Sequence, residues 1–188
     1  MVPVLKFPFA FDAERLKADL RPFGPADWTP HFNTQYYEGD WSGIALRTTK
    51  NAHVPLYPDP TVSEFVDTAM LARCSYVPDV LRTFECDLKI VRFLRLGAGA
   101  AIRSHQDFDL GFEDGQARVH IPIVTNLQVE FHLDEQLVQM REGEAWYLNF
   151  NLFHRVENKG SDARVHLVID CVVNDWLRSF FPVEDQAQ

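Results

Sequence analysis

The run "SHQDFD" sets His105 and Asp107 two residues apart. At a strand end that spacing turns both side chains toward the same side. A third donor of the same kind, His154 in "NLFHRVEN", follows after a β-rich stretch. Two imidazoles and one carboxylate with coordination positions left open are the ligand set of non-haem Fe(II) oxygenases. A closed structural zinc site would instead want four ligands, usually with thiolates. The cysteines Cys74, Cys86 and Cys171 lie outside both motifs. Asp109 offers a second carboxylate two residues beyond Asp107 and is the weaker alternative ligand. An isolated HxD is a common chance pattern; the later histidine and two arginine-bearing strands give it weight.

Those strands contain the same tetrapeptide, "ARVH", at Ala117–His120 and Ala163–His166. On a strand side chains alternate. Arg118, His120 and Pro122 therefore share one face, as do Arg164, His166 and Val168; the opposite faces are aliphatic. A cationic face turned into a barrel requires a ligand or partner to satisfy it. Guanidinium forks suit carboxylates, and 2-oxoglutarate has two. The opposite orientation, with the ARVH face in solvent and the aliphatic face building the core, fits the pattern of alternation equally well. The flanks "GFEDGQ" and "ENKGSD" share only turn character, so no duplicated domain is implied.

The elements that must position these residues are mostly strands. From about Lys89 onward, "KIVRFLRL", "AAIRSH", "RVHIPIV", "QVEFHL", "LVQM", "EAWYLNF", "FHRVEN" and "RVHLVIDCVV" are short β-branched and aromatic runs separated by turn residues. Together they predict a mainly β domain with flanking helices, a jelly roll or small barrel of cupin-like character. The N-terminal part reads as a mixed, helical buttress over about 1–87, ahead of a jelly-roll core over about 88–173, all in a single domain. "FDAERLKADLRPFG" predicts a helix capped by Asp12. "TVSEFVDTAMLARC" predicts a second helix with Val62, Phe65, Val66, Ala69 and Met70 on one face. "PDVLRTFE" predicts a third, and "NDWLRSFF" a short one over about 174–181 with Asn174 as its cap. On the strand "EAWYLNF", Trp146 and Tyr147 point to opposite faces, one to the core and one available to a pocket. Asn149, on Tyr147's face, is available to a ligand or to a strand-end hydrogen bond. His31, His53 and His132 read as ordinary histidines.

The 188 residues are enough for one domain with a sizeable core, and 46% of them are hydrophobic, a globular composition. A net charge of −9 argues against nucleic acid or an anionic membrane as main partner, while leaving room for a locally basic pocket. Three cysteines without CxxC spacing suit a reducing compartment. The apolar start "MVPVLKFPFAF" lacks a basic leader and a cleavage motif, and no apolar run approaches ~20 residues. The expectation is a cytoplasmic protein with a small-molecule or peptide substrate.

The segments "RLGAGAAIRSHQD", "RVHIPIVTN" and "GEAWYLNFNLFHRVENKGSDARVHLVIDC" resemble the aspartyl/asparaginyl β-hydroxylase family of Fe(II)/2-oxoglutarate oxygenases, which includes bacterial free-proline cis-hydroxylases. The resemblance runs from about Trp41 to Trp176. It implies a double-stranded β-helix, with His105, Asp107 and His154 as iron ligands. It implies Arg164 as partner of the distal carboxylate of 2-oxoglutarate, and Arg118 and His120 near the cosubstrate's other end; His166 shares Arg164's face. The implied reaction is hydroxylation of an amino acid or an amino-acid residue resembling Asp, Asn or Pro. The family's protein hydroxylase lacks the carboxylate ligand, so Asp107 places this chain nearer the bacterial amino-acid enzymes. Two other classes compete: a cupin-type metalloenzyme that does not use 2-oxoglutarate, and a non-enzymatic ligand-binding jelly roll.

Overall fold

The computed structural model describes residues 1–57 and 59–182. In chain order the strands are β1 (Val4–Ala10), β2 (Thr29–Pro30), β3 (Tyr37–Glu38), β4 (Trp41–Thr49), β5 (Phe65–Asp67), β6 (Leu88–Leu96), β7 (Ala101–His105), β8 (Gln116–Val124), β9 (Val129–Leu133), β10 (Gln136–Leu137), β11 (Glu144–Leu148), β12 (His154–Asn158) and β13 (Arg164–Val172). Three α-helices accompany them: α1 (Ala13–Leu20), α2 (Val77–Arg82) and α3 (Asp175–Arg178). The strands form two sheets, as a jelly roll requires. The larger runs β1-β11-β8-β13-β6-β4-β2, with β5 on β4; the smaller runs β10-β9-β12-β7-β3.

Alternation on β8 and β13 decides what each side of the larger sheet holds. Val119, Ile121, Ile123, Val165, Leu167 and Ile169 are buried in one core with Leu16 of α1, Val77, Val80 and Leu81 of α2, and Leu177 of α3. The helices thus cover the aliphatic face. The ARVH face is turned inward, toward the smaller sheet: His120, Arg164, His166 and Asp170 are all buried. A second core between the sheets is built from Leu96, Ile102, Phe131, Leu133, Leu148, Phe150 and Val156.

Local chemistry fixes the edges of this frame. Asp12 caps α1 by accepting from the backbone N–H of Glu14 and Arg15 at 3.0 and 3.1 Å. Buried Asp19 accepts three backbone N–H bonds, from Ser75, Tyr76 and Val77, at 2.7–2.8 Å, and so ties α1 to the start of α2. Asn158 donates to the carbonyls of Leu96, Gly97 and Asp162 at 2.8–3.1 Å. It thereby locks the turn before β7 to the loop before β13, the strands that carry His105 and Arg164.

The structure departs from the expected elements at three places. Residues 62–70 are not helical: Phe65–Asp67 pair with β4 and a single 3-10 turn follows at Leu71–Arg73. An aromatic and a valine beside an open sheet edge pair with it, and that tertiary contact overrides a helical spacing. Of "LVQM" only Leu137 is in a strand, the two-residue β10. The division near residue 88 is also not a boundary in the sheet, because β1 and β4 from the N-terminal part are strands of the larger one. β1 occupies the sheet edge and its register shifts between Lys6 and Ala10, around Pro8. An edge or a bulge is where a sheet tolerates proline.

Candidate metal centre and its flanking cavities

His105 ends β7 and His154 begins β12, and these two strands pair so that the two histidines are direct partners. Their rings lie 4.2 Å apart between centroids. Asp107 follows in the loop, anchored by its backbone N–H to the Phe150 carbonyl at 2.9 Å. One donor atom from each of the three lies within 4.8 Å of the others. Asp109 has a left-handed backbone (φ 60°), is exposed, and stands outside this cluster.

The histidines are held ready to bind through Nε2. The Nδ1 of His105 lies 2.8 Å from the Arg103 carbonyl, and that of His154 3.1 Å from the Leu152 carbonyl. A carbonyl only accepts, so each Nδ1 carries the hydrogen and each Nε2 keeps its lone pair. Burial, helped by the neighbouring His105, pushes the His154 imidazole down to about 4, so it is neutral at physiological pH. Tyr36 stacks on His105 at 5.0 Å, and His31 on Trp41 at 3.6 Å, walling this end of the site. Sequence gave no warning that His31 would be part of that wall.

The carboxylate of this cluster is held by an arginine. Arg118 donates from Nη1 to Asp107 Oδ2 at 2.8 Å, and from Nε and Nη2 to Asp170 at 2.7 and 3.0 Å. Burial would raise the Asp107 carboxyl, but Arg118 and the two imidazoles hold it below the usual carboxylate range. Asp170 is likewise held low, by Arg118 and then Arg92, against its burial. Asp170 was not among the residues singled out from sequence. Its signal was present: it is the fourth member of the alternating set Arg164, His166, Val168, Asp170.

The two ARVH segments lie side by side and antiparallel, but offset. Asp170, not Arg164, is the partner of Arg118, and Val168 is the partner of His120. Arg118 and Arg164 therefore belong to opposite ends of β13, six residues or about 20 Å of strand apart. They do not form one pair of forks around a single small dicarboxylate, as the expectation from strand faces had it.

Arg164 has no carboxylate partner among the described residues. It is 3% exposed, its Nε is buried without a hydrogen-bond partner, and Nη2 lies 2.9 Å from His166 Nδ1. Burial alone pushes its pKa down to about 9. An arginine only donates, so His166 Nδ1 accepts. His120 Nδ1, 3.2 Å from that same atom, must then carry a hydrogen and donate to it. This leaves His120 Nε2 as a bare acceptor, buried without a partner. In this arrangement His120 offers no hydrogen to a carboxylate; it stacks on Phe150 at 5.1 Å instead. Both imidazoles are pushed well below the ordinary histidine value by burial and by Arg164.

The two arginines open onto two different cavities. One of about 540 Å³ contains Arg164 and His166 with Phe131, Val129 and Met140. The other, about 240 Å³, contains Arg118, Asp170, Arg92 and Leu110. Trp146 and Tyr147 line neither. Tyr147 is fully buried under the helices and its hydroxyl accepts from the Phe112 N–H at 2.9 Å, while Trp146 donates to Glu144. Asn149 accepts from the Asn151 N–H at 3.1 Å, closing the turn after β11.

The fold has clear counterparts. An oxidoreductase of the 2OG-Fe(II) oxygenase family from Burkholderia pseudomallei superposes with a TM-score of 0.57 at 15% identity, over 92% of this chain and 88% of the other. A Pseudomonas putida prolyl-4-hydroxylase gives 0.54 at 14% identity, over 91% and 92%. In sequence, the L-proline cis-4-hydroxylase of Rhizobium meliloti is 24% identical over 172 residues, which is 90% of this chain and 61% of that protein. The chain thus spans about three fifths of the length of that relative. Residues 13–173 match the family profile of the aspartyl/asparaginyl beta-hydroxylases, and the chain belongs to that family.

Proposed function

We propose that the protein is an Fe(II)- and 2-oxoglutarate-dependent dioxygenase that hydroxylates an amino acid or an amino-acid residue. The observation that carries this reading is the pairing of one open three-donor centre with one buried guanidinium, Arg164, that has no carboxylate partner among the described residues. His105, Asp107 and His154 supply two neutral imidazole nitrogens and one carboxylate oxygen, a donor set that suits Fe(II) and leaves coordination positions free. Arg164 has the unsatisfied buried N–H that a carboxylate of 2-oxoglutarate would fill. When bound, the metal and cosubstrate supply the oxidation: 2-oxoglutarate and O2 yield succinate and CO2, and one oxygen atom enters a C–H bond of the substrate.

The chain's own residues do the rest. The Nδ1 hydrogen bonds of His105 and His154 fix ring orientation and tautomer. Arg118 fixes which oxygen of Asp107 stays free, since Oδ2 is taken. Phe131 and Phe150 are buried between the sheets, and Phe131 also lines the cavity that contains Arg164. A cupin-type enzyme without 2-oxoglutarate would leave Arg164 buried with no anion.

The test is succinate formation from 2-oxoglutarate with Fe(II) present, and its stimulation by free amino acids and short peptides. The expected result is succinate above the metal-free background, abolished in His154→Ala. A chain that binds Fe(II) but releases no succinate with any of them would sink the proposal.

A further inference from the structure

The larger sheet carries a second chemical feature, on the side away from the metal centre. Cys171 lies on β13 and is fully buried in the core that the helices cover, and half-buried Cys86 packs against that same core. Register brings the two together. Cys171 is the direct partner of Leu88 on β6, and the Val172 N–H then donates to the Asp87 carbonyl at 2.9 Å. Cys86 stands two residues before Leu88, on the side of the sheet that holds Cys171. The two thiols meet there in a side-chain hydrogen bond.

These thiols are not alike. Cys171 donates and Cys86 accepts, and this hydrogen bond holds the Cys86 thiol below its ordinary range, against burial and the Asp87 carboxylate. The same bond, and then burial, push Cys171 well above that range. Access divides them in the same way. A cavity of about 390 Å³ is lined by Phe84, Glu85, Cys86, Asp87, Val172 and Asn174, and Cys171 lies behind that lining. An acidified thiol at a cavity, with a second thiol touching it from the core, is the arrangement of a nucleophilic and a resolving cysteine. Cys74 is the contrast. It is buried, burial and then Asp19 push its thiol up to about 12, and its hydrogen-bond partner is the Met70 carbonyl at 3.8 Å.

The surroundings of Cys86 select the oxidant. Glu85 and Asp87 flank it in sequence, are exposed, and line the same cavity. Two carboxylates repel glutathione disulfide, which is an anion, and have no such effect on a small neutral peroxide.

We infer that Cys86 and Cys171 are a peroxide-reactive pair, in which Cys86 attacks and Cys171 resolves, closing a disulfide between β13 and the segment that enters β6. The Cys86 thiolate attacks one oxygen of hydrogen peroxide, the O–O bond breaks, and the departing hydroxide takes up the thiol proton as water. Cys86 is left as a sulfenic acid. The Cys171 sulfur then attacks the sulfenic sulfur. An S–S bond forms, the S–O bond breaks, and the departing hydroxide takes the Cys171 proton as a second water. The thiol pair is oxidised by two electrons and the peroxide is reduced by the same two. This chemistry is separate from that of the metal centre and does not depend on the reaction proposed there.

The experiment treats the full chain, stripped of metal by a chelator, with a slight molar excess of hydrogen peroxide. Free thiols are counted after denaturation, and the bond is located by peptide mass mapping without reduction. Of the three thiols of the chain only Cys74 is expected to remain, in a single chain lighter by two hydrogens, and a dithiol should restore the other two. Cys171→Ser should stop at a sulfenic acid that dimedone traps on Cys86. Cys86→Ser should lose thiols at least about tenfold more slowly than the native chain, as should the native chain when glutathione disulfide replaces peroxide. The mapping uses the native chain, so it stands even where a variant does not fold. The inference is overturned if the native thiols survive an exposure that oxidises free cysteine, or if the bond joins Cys74 or links two chains. It is equally overturned if Cys86→Ser reacts as fast as the native chain, if dimedone finds no Cys86 adduct in Cys171→Ser, or if glutathione disulfide reacts as fast as peroxide.

Discussion

Two identical tetrapeptides on neighbouring strands give their arginines opposite fates. Arg118 donates three hydrogen bonds to carboxylates at 2.7–3.0 Å. Among the described residues Arg164 has a single imidazole nitrogen and no carboxylate as partner. Side chain, neighbours in sequence and burial are nearly alike; register makes the difference. The antiparallel offset sets Asp170 across from Arg118 and leaves Arg164 six residues away. A buried guanidinium with built-in anions is part of the frame, and one without them is free to take an anion from outside. The pKa values follow the same division: the carboxylates of Asp170 and Asp107 raise Arg118 in spite of its burial, while burial unopposed lowers Arg164.

The most severe way to break this comparison is Arg118→Ala. It would strip buried Asp170 of its two hydrogen bonds, leaving only Arg92 at 3.6 Å, and would take from half-buried Asp107 its guanidinium partner. Removing one partner of a buried ion pair costs about 3–5 kcal/mol, so the urea midpoint should fall sharply, and metal affinity should fall with it as Asp107 loses its anchor. A loss below about 1 kcal/mol, the range of an exposed ion pair, would show that Arg118 is not the structural member of the pair.

Arg164→Ala should do the reverse. Among the described residues there is no carboxylate there to orphan, so stability should change little or rise. The cosubstrate should suffer: loss of a charge-assisted contact of about 1.5–3 kcal/mol corresponds to a rise in the Kd for 2-oxoglutarate of roughly tenfold to a hundredfold. Titration of 2-oxoglutarate into the Co(II)-loaded chain measures this directly. Equal loss of metal and cosubstrate binding would place Arg164 in the frame beside Arg118.

The two histidines of the tetrapeptides sharpen the contrast through pH. His166 is held neutral in the fold, far below its unfolded value near 6.5. As pH falls through that value the unfolded chain takes up a proton that the folded chain refuses, so more protons are bound to the unfolded state and stability falls with falling pH. From about pH 7.5 to about 5.5 this one group should remove about 1.4 kcal/mol. Denaturation of the metal-free chain at both pH values should show that loss reduced by this amount in His166→Asn. An unchanged loss would mean that His166 is protonated in the fold.

Much of this site could be read from the chain because its signals are local. His105 and Asp107 are two apart, and alternation places the polar members of β8 and β13 on one face without further information. The helices at Asp12 and Asn174 were legible for the same reason, since a cap and its helix are neighbours in sequence. What escaped is non-local. Strand β1 and the pairing of β5 depend on which edges of the sheet stay open, and a helical spacing at residues 62–70 says nothing about that. The offset between β8 and β13 is of this kind too. Strand faces can be written down from sequence, but the partner of Arg118 depends on register, and a shift of the pairing would exchange Asp170 for another residue. For this reason both arginines looked alike in the sequence, and only Arg164 is without a carboxylate partner among the described residues.

The smallest effect tests whether Arg164 is held or merely located. Its one polar partner among the described residues is His166 Nδ1, which accepts from Arg164 and from His120. An asparagine at position 166 can place an amide oxygen where Nδ1 stands, and an oxygen accepts two hydrogen bonds. His166→Asn should therefore keep Arg164 oriented, and the Kd for 2-oxoglutarate should move by less than about threefold, or ~0.6 kcal/mol. The comparison with Arg164→Ala then separates charge from orientation. If His166→Asn weakened the cosubstrate as much as Arg164→Ala does, the imidazole itself, and not the guanidinium, would be the group that meets the carboxylate. The second tetrapeptide would in that case work through its histidine, as the first works through its arginine.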